Sequence, residues 1–307
     1  MTDSPQTTGA PVPSAAPSGP AEPAIPVVPV RVGVLGGGRM GAGIAHAFLI
    51  KGADVLVVER DEAAAAAARE RVESSTATSL ERGVLDGDLE EVLERFAVSV
   101  DRADFADRDL AVEAVPEDWE LKVSSLQAVE SHLGPEAVLA SNTSSLSVTG
   151  LSAELARPER FLGLHFFNPV PASTLVEVVV GAQTAPELVE AARSWTLGLG
   201  KTPVVVNDAP GFASSRLGVA IALEAMRMVE EGVASAEDID QAMVLGYKHP
   251  TGPLRTTDIV GLDVRLGIAE YLASTLGDRF APPQILKDKV ARGELGRKSG
   301  RGFFDWS

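Results

Sequence analysis

A histidine and a glutamate in neighbouring segments are the strongest candidates for chemistry in this sequence. His165 closes an apolar run that starts at Phe161, prolines 169 and 171 force a turn, and Glu177 lies near the start of a second, β-branched run. Two strands joined by such a turn would bring Glu177 back to His165. A carboxylate beside an imidazole fixes its tautomer and raises its basicity, as a general base near neutral pH requires. The local sequence fits equally well a histidine that ends a strand beside a solvated glutamate.

A run of hydroxyl side chains forms a second candidate. Ser141–Ser145 follows the apolar segment Ala137–Ala140, which has the composition of a buried strand. The carboxyl ends of strands in an open parallel sheet face the ligand crevice, so we expect Ser144 to lie where a cofactor meets a substrate. The same run could cap the following helix, although it holds more hydroxyls than one cap needs.

A glycine-rich turn predicts the element that binds a dinucleotide. The turn lies between the strand-like run 30–35 and a helical pattern that starts near Ile44. Its glycines permit a tight turn and a close approach of the backbone to a pyrophosphate. A second strand over 55–58 ends at Glu59, at the distance expected for the acid that holds a ribose hydroxyl. The turn consists of Gly36, Gly37, Gly38, Arg39, Met40 and Gly41.

The remaining pattern predicts an α/β fold with a Rossmann-type doubly wound sheet, followed by an all-helical C-terminal domain. Further strand-like segments alternate with helical ones up to residue 206, where the dense turn signal Asn207–Gly211 marks a boundary. Beyond it, Leu217, Ile221, Ala225 and Met228 are spaced as one apolar face of a long helix. The predicted units are a disordered tail over 1–29, a dinucleotide-binding domain over 30–208, and a helical domain over 209–307 whose apolar surface suggests self-association.

Composition excludes several classes of function. The 307 residues carry a net charge of −16, which argues against partnership with nucleic acid or an anionic membrane surface. The chain has no cysteine, and its four histidines are widely spaced, so we expect no metal site. The Pro- and Ala-rich tail lacks the basic start of a signal peptide, and no apolar run is long enough to cross a membrane. We therefore expect a cytoplasmic protein.

Taken together, these motifs resemble one known family. From about Val30 to Trp306 the chain is similar to the L-3-hydroxyacyl-CoA dehydrogenases, including the bacterial 3-hydroxybutyryl-CoA enzymes. The segments that carry the resemblance stand in the family's order and spacing. They are GGGRMGAGIA, EAVPED, SNTSSL, GLHFFNPVP, LVEVV, DAPGF, EEGVAS, EDIDQAM, GLDV and GRKSGRGFFDW.

The resemblance implies an NAD-dependent dehydrogenase that acts on an acyl-CoA or another acyl thioester and forms a homodimer, with 209–307 as the dimerisation and substrate domain. It assigns His165 as general acid/base, Glu177 as its partner, and Ser144 as the hydrogen-bonding group for the reacting oxygen. Expected cofactor contacts are Gly36, Gly37, Gly38, Arg39, Met40, Gly41, Glu59, Glu117, Lys122, Ser144 and Lys298. Expected substrate contacts are Ser75, Arg82, Ser144 and Asn168.

One departure from the family pattern concerns the substrate. Ser215 stands where the family commonly has an asparagine that helps to bind the substrate carbonyl, and we count Ser215 among the candidate catalytic residues. Thr251 stands where a methionine is frequent. Three alternatives stay open: an acyl group on a carrier protein, a free hydroxy acid, and a non-catalytic dinucleotide-binding protein.

Overall fold

A computed structural model describes residues 27–307, so most of the predicted tail lies outside the described residues. The first domain is built on one sheet of eight strands in the order β3-β2-β1-β4-β5-β6-β7-β8. Neighbouring strands are parallel except for β6 and β7, which are antiparallel. The strands are β1 (Arg31–Leu35), β2 (Asp54–Val58), β3 (Phe96–Ser99), β4 (Leu110–Glu113), β5 (Val138–Ser141), β6 (Phe161–Phe166), β7 (Leu175–Val180) and β8 (Thr202–Asn207).

Helices cover the sheet and then form the second domain. Central strands such as β4 and β6 are buried along their whole length, as expected where helices pack on both faces of a sheet. The helices of the first domain are α1 (Arg39–Leu49), α2 (Glu62–Glu81), α3 (Leu89–Leu93), α4 (Trp119–Glu130), α5 (Val148–Ala153) and α6 (Pro186–Gly198). Those of the second are α7 (Ser214–Glu230), α8 (Ala236–Tyr247), α9 (Pro253–Val260), α10 (Leu262–Leu276) and α11 (Gln284–Ala291).

The helical domain has its own apolar core and a docked C-terminus. Ser235 caps α8 by accepting a hydrogen bond from Asp238 N, as the capping sequence there predicts. The buried carboxylate of Asp258 accepts hydrogen bonds from Phe303 N, Phe304 N and Trp306 Nε1, at 2.8–2.9 Å. A single acid therefore holds the aromatic end of the chain against α9.

Two expectations about packing need correction. Leu217 and Ile221, predicted on the apolar face of α7, are 63% and 38% exposed, and the buried side of that helix is formed by other residues such as Leu223 and Met226. Val28, assigned to the tail, packs against the first core and lies beside Gly198 of α6. An ordered segment therefore begins before residue 30. Among the described residues, no helix combines the length and apolar character that crossing a bilayer requires.

Candidate active site

The turn between β6 and β7 brings His165 and Glu177 together. The two residues are directly opposite in the antiparallel register, and His165 Nδ1 lies 2.8 Å from Glu177 Oε2. Both side chains are buried, with residue exposures of 6% and 1%. An ionised carboxylate can only accept, so Nδ1 carries the proton and Nε2 is left for another partner. Phe167 and Phe212 flank the ring, with centroids at 4.4 and 5.7 Å.

The helical domain completes the surroundings of Glu177. Oε1 accepts from Ala213 N at 3.1 Å and Ser214 N at 2.8 Å, and Oε2 accepts from Ser214 Oγ at 2.7 Å. Burial raises the pKa of Glu177, but hydrogen bonds from His165 and Ser214 outweigh it and hold the pKa below its ordinary value. The sequence pointed to Ser215, the next residue, and missed Ser214. The feature of the sequence that could have identified Ser214 is the pair of adjacent serines just after the Pro210–Gly211 turn.

The carboxylate of Glu117 accepts hydrogen bonds from the hydroxyl run that follows β5. Its Oε1 accepts from the backbone N–H of Ser144 and Ser145 at 2.8 and 2.9 Å. The same oxygen accepts from the hydroxyls of Thr143, Ser144 and Ser145 at 2.7, 3.2 and 3.0 Å. Burial raises the pKa of Glu117, whereas the charge of Lys122 and these donors lower it below its ordinary value. Glu117 therefore fixes the loop that carries Ser144.

Lys122 is held by the protein itself. Its ammonium lies 2.7 Å from Glu113 Oε1, 3.4 Å from Glu117 Oε2 and 3.1 Å from the carbonyl of Val115. Glu113 also accepts from the hydroxyl of Ser141 at 2.5 Å. The sequence did not single out Glu113, because it lies inside an apolar strand pattern, and it gave Ser141 only as the first residue of the hydroxyl run. The cofactor role predicted for Lys122 stays a prediction, since the described contacts give its ammonium a structural task.

The glycine-rich turn has the form that a pyrophosphate needs. A side chain at Gly41 would place its Cβ 1.7 Å from the carbonyl oxygen of Gly36, and Gly36 itself has φ +88°. Helix α1 starts after Gly38, where none of the described residues supplies a side-chain cap and none would contact a Cβ built on Gly38. The first N–H groups of α1 are thus available to an anion.

Glu59 fits the task of receiving a ribose. Its carboxylate accepts from Gly37 N at 2.7 Å and from Arg60 N at 3.0 Å, at the end of β2. With Gly36, Gly38, Arg39 and Met40 it lines a cavity of about 510 Å³. The guanidinium of Arg60 turns toward Asp61, at 3.1 Å. These residues fit NAD: the turn would receive its phosphates, and Glu59 would accept a hydrogen bond from a hydroxyl of its adenosine ribose.

Three of the four residues expected to contact substrate line two further cavities, whereas the fourth, Ser144, lies beside Glu117. Ser75 and Arg82 lie on a cavity of about 580 Å³ that Lys51 and Lys201 also line. Ser75, Asn168 and Arg39 line a second cavity of about 580 Å³. The two cavities share Ser75 and together form one cleft. Positive side chains are grouped along this cleft although the whole chain is acidic.

Lys201 is a buried lysine that the sequence reasoning missed. Its ammonium bonds the carbonyls of Val170 and Ser173 at 2.7 and 2.5 Å and so fixes the loop after His165. Among the expected cofactor contacts, Lys298 pairs with Asp263 at 2.6 Å and lies against Gly261 in the helical domain. Its cofactor role stays a prediction.

Fold and site together are those expected of a dinucleotide-dependent dehydrogenase, with a glycine-rich turn at one part of the sheet edge and a histidine–carboxylate pair at another. Two family models match consecutive parts of the chain. They are the NAD-binding domain of 3-hydroxyacyl-CoA dehydrogenase over residues 31–209 and its C-terminal domain over residues 211–306.

Individual relatives agree with the family models. A probable 3-hydroxybutyryl-CoA dehydrogenase of Deinococcus radiodurans is 42% identical over 278 residues, covering 90% of this chain and 100% of the relative. The 3-hydroxybutyryl-CoA dehydrogenase of Mycobacterium tuberculosis is 41% identical and covers 90% and 98% of the two chains. The crystal structure of the (S)-3-hydroxybutyryl-CoA dehydrogenase of Ralstonia eutropha has a TM-score of 0.87 at 38% identity, covering 91% and 99%.

The chain belongs to the 3-hydroxyacyl-CoA dehydrogenase family. The expected fold class and the expected class of enzyme, an NAD-dependent oxidoreductase of 3-hydroxyacyl-CoA, are thereby confirmed.

Proposed function

We propose that this enzyme interconverts a short 3-hydroxyacyl-CoA and its 3-oxoacyl-CoA, with His165 as the proton-transfer group. The observation that carries the proposal is the buried pair in which Glu177 accepts from His165 Nδ1 at 2.8 Å and leaves Nε2 free to face a substrate hydroxyl. Among residues 27–307, no other histidine bonds a carboxylate. His46 bonds the hydroxyl of Ser79, and burial lowers its pKa to about 4, so it stays neutral.

The proposed roles follow from these contacts. In the oxidation direction, His165 Nε2 takes the proton of the 3-hydroxyl, and Glu177 stabilises the imidazolium that forms. Ser144 turns its hydroxyl from Glu117 toward the reacting oxygen and orients it. NAD, when bound, supplies the hydride acceptor. Ser215, next to Ser214 on α7, is the proposed donor to the thioester carbonyl in place of an asparagine.

The substrate proposal rests on charge and on the relatives. The cleft lined by Ser75, Lys51 and Arg82 places cations where the phosphates of CoA can be received. The relatives carry the name 3-hydroxybutyryl-CoA dehydrogenase, and we extend that short acyl chain to this protein.

We further propose a homodimer that works in the cytoplasm. Support for the dimer comes from apolar side chains left exposed on the helical domain, where association would bury them. They are Leu217, Ile221, Leu245, Ile259, Val260 and Val264.

Turnover measurements with a substrate panel test the proposed function. NADH formation is followed with 3-hydroxybutyryl thioesters of CoA, of pantetheine and of an acyl carrier protein, and with free 3-hydroxybutyrate. We expect the highest kcat/KM with CoA. Higher kcat/KM with the carrier protein or the free acid would replace this proposal, and no turnover with NAD bound would favour a non-catalytic protein.

A pair of variants sharpens the CoA assignment. Arg82→Ala should raise KM for the CoA thioester about tenfold, since a charge-assisted hydrogen bond to phosphate is lost, and leave the pantetheine thioester unaffected. Arg69→Ala is the matched control, because Arg69 lies within α2, the helix that ends just before Arg82, but pairs with Glu73 away from this cleft. Equal effects of the two substitutions would contradict the assignment.

A further inference from the structure

The carboxylate that supports His165 is held from both domains. His165 and Glu177 lie on β6 and β7 of the first domain, whereas Ala213 and Ser214 belong to the start of the helical domain. The connecting segment is itself fixed, because Asp208 accepts from Ser147 Oγ at 2.7 Å and Thr149 N at 2.8 Å. The first turn of α7 therefore meets the carboxylate of Glu177 through three hydrogen bonds.

The two oxygens of Glu177 are used differently. Within residues 27–307, Oε1 accepts only from backbone N–H groups, those of Ala213 and Ser214. Oε2 accepts from His165 Nδ1 and from the hydroxyl of Ser214, at 2.8 and 2.7 Å. The ring and the hydroxyl thus share one oxygen, and each draws on the same negative charge.

We propose that Ser214 is a positioning residue that sets how strongly Glu177 acts on His165, by holding and partly neutralising the oxygen that the imidazole also contacts. The proposal rests on the proposed role of His165 and goes beyond it, since it assigns control of the proton-transfer pair to a side chain of the helical domain. A displacement of the first turn of α7 would remove this control.

Other charges near the pair do not replace this hydroxyl. Of the main influences on the pKa of Glu177, His165 alone is ionisable. Lys201, just before β8, is bonded to the carbonyls of Val170 and Ser173, and Asp208 is bonded to Ser147 and Thr149. Arg216 follows on α7 but makes no ion pair within the described residues. Burial and the charges of Asp208 and Glu117 raise the pKa of Tyr271 on α10.

Removal of the Ser214 hydroxyl should shift the midpoint of the His165 titration in a defined direction. In Ser214→Ala the two backbone donors still hold Oε1, so the carboxylate stays in place and its pKa rises toward the ordinary value. His165 becomes the sole donor to Oε2, which then carries more negative charge. The imidazolium is stabilised, and the midpoint of the His165 titration moves to higher pH by about half a unit, a small part of what a nearby charge can produce.

The titration is measured directly by NMR on protein labelled at histidine, with NAD present and with the His165 signal assigned from His165→Gln. Ser214→Ala should shift the midpoint upward, while Ser214→Thr, which keeps a hydroxyl, should stay within about 0.2 units of the wild type. Ser274→Ala is the matched control, because the hydroxyl of Ser274 bonds within α10 of the same domain. An unmoved midpoint in Ser214→Ala, or an equal shift in Ser214→Thr, overturns the proposal.

A double variant separates this tuning from a general loss of structure. On a Glu177→Gln background the shared negative charge is absent, so Ser214→Ala should add no further shift. An undiminished shift on that background would show that Ser214 acts by another route. In the pH–rate profile for oxidation, the rising limb of Ser214→Ala should move with the NMR midpoint. Because the NMR titration needs no substrate, a failure of the thioester assay would leave this test readable.

Discussion

Two buried carboxylates at the ligand-facing edge of the sheet have nearly the same surroundings and different uses. Glu177 and Glu113 are 1% and 0% exposed, and each bonds a basic group, a hydroxyl and at least one backbone N–H. The basic group is His165 in one case and Lys122 in the other. An imidazole exchanges its proton near neutral pH, whereas an ammonium in a carboxylate pair keeps its charge. We therefore propose that the same arrangement serves proton transfer in one place and stability in the other.

The pairs differ also in which domain supplies the donors. The partners of Glu113, namely Lys122, Ser141 and Val115 N, lie within the first domain. Glu177 takes three of its hydrogen bonds from the start of α7. The pair around Glu113 is complete as soon as the sheet domain folds, and the pair around Glu177 also requires the helical domain to dock.

His165→Gln should have the largest effect, because it removes the basic group that distinguishes the Glu177 pair from the Glu113 pair. Glutamine can still bond the substrate oxygen but cannot take its proton, so kcat should fall by about 10²–10⁴. NAD affinity should be retained, because the glycine-rich turn and Glu59 lie on other strands of the sheet. Stopped-flow kinetics and NAD titration measure the two quantities separately. Turnover near that of the wild type, or an equally severe loss of NAD binding, would contradict the assigned role.

Lys122→Met should act on stability rather than on chemistry. It leaves Glu113 buried without its cation, which typically costs about 3–5 kcal/mol of unfolding free energy. Urea denaturation measures the loss, and Arg31→Met is the control because the Arg31–Asp109 pair is solvent-exposed and should matter far less. The double variant Lys122→Met with Glu113→Gln should recover part of the stability. If Lys122→Met keeps its stability and loses NAD affinity, the predicted cofactor role is the correct one.

Glu177→Gln should lower kcat by about tenfold to a hundredfold, since the imidazole remains and loses only the charge that stabilises its protonated form. Glu177→Gln should also change how the free energy of unfolding depends on pH. The folded pKa of Glu177 lies below its ordinary value of 4.5, so its contribution is present above that value and is lost as pH falls through the folded pKa. The wild type and Glu177→Gln should therefore converge in stability on acidification. Parallel curves would show that Glu177 adds no such term.

Ser215→Asn is expected to have the smallest effect. If the substrate is an ordinary 3-hydroxyacyl-CoA, the restored amide should hold kcat/KM or raise it by up to about tenfold, within the range of a single donor to a developing charge. Steady-state kinetics with 3-hydroxybutyryl-CoA measure it. A marked fall in kcat/KM would indicate that the site is shaped for a different acyl group. The first turn of α7, which contacts Glu177, would then be adapted to that group.

Patterns that depend on neighbours in sequence were sufficient for much of this protein. The glycine-rich turn, the second strand ending at Glu59 and the cap at Ser235 are local, because backbone sterics and hydrogen bonds within a few residues determine them. The antiparallel return that brings Glu177 to His165 follows from two short strands and a proline-bounded turn.

Contacts between distant segments could not be predicted in this way. Periodicity placed Leu217 and Ile221 on an apolar face of α7 but could not tell whether that face points to the core of the domain or away from it. Nor could the residues near Val28 be known to pack on α6, since a short apolar pair has no periodicity to detect.

The dinucleotide turn and the histidine–glutamate pair could be predicted from the sequence because each is formed by residues close together along the chain, and the family could be recognised from the order and spacing of such short segments. The folded structure was needed to find that Ser214 shares an oxygen of Glu177 with His165 and that Glu113 pairs with Lys122. Those contacts join segments whose approach depends on how helices and strands pack, and packing depends on the shape of the whole molecule rather than on any local pattern.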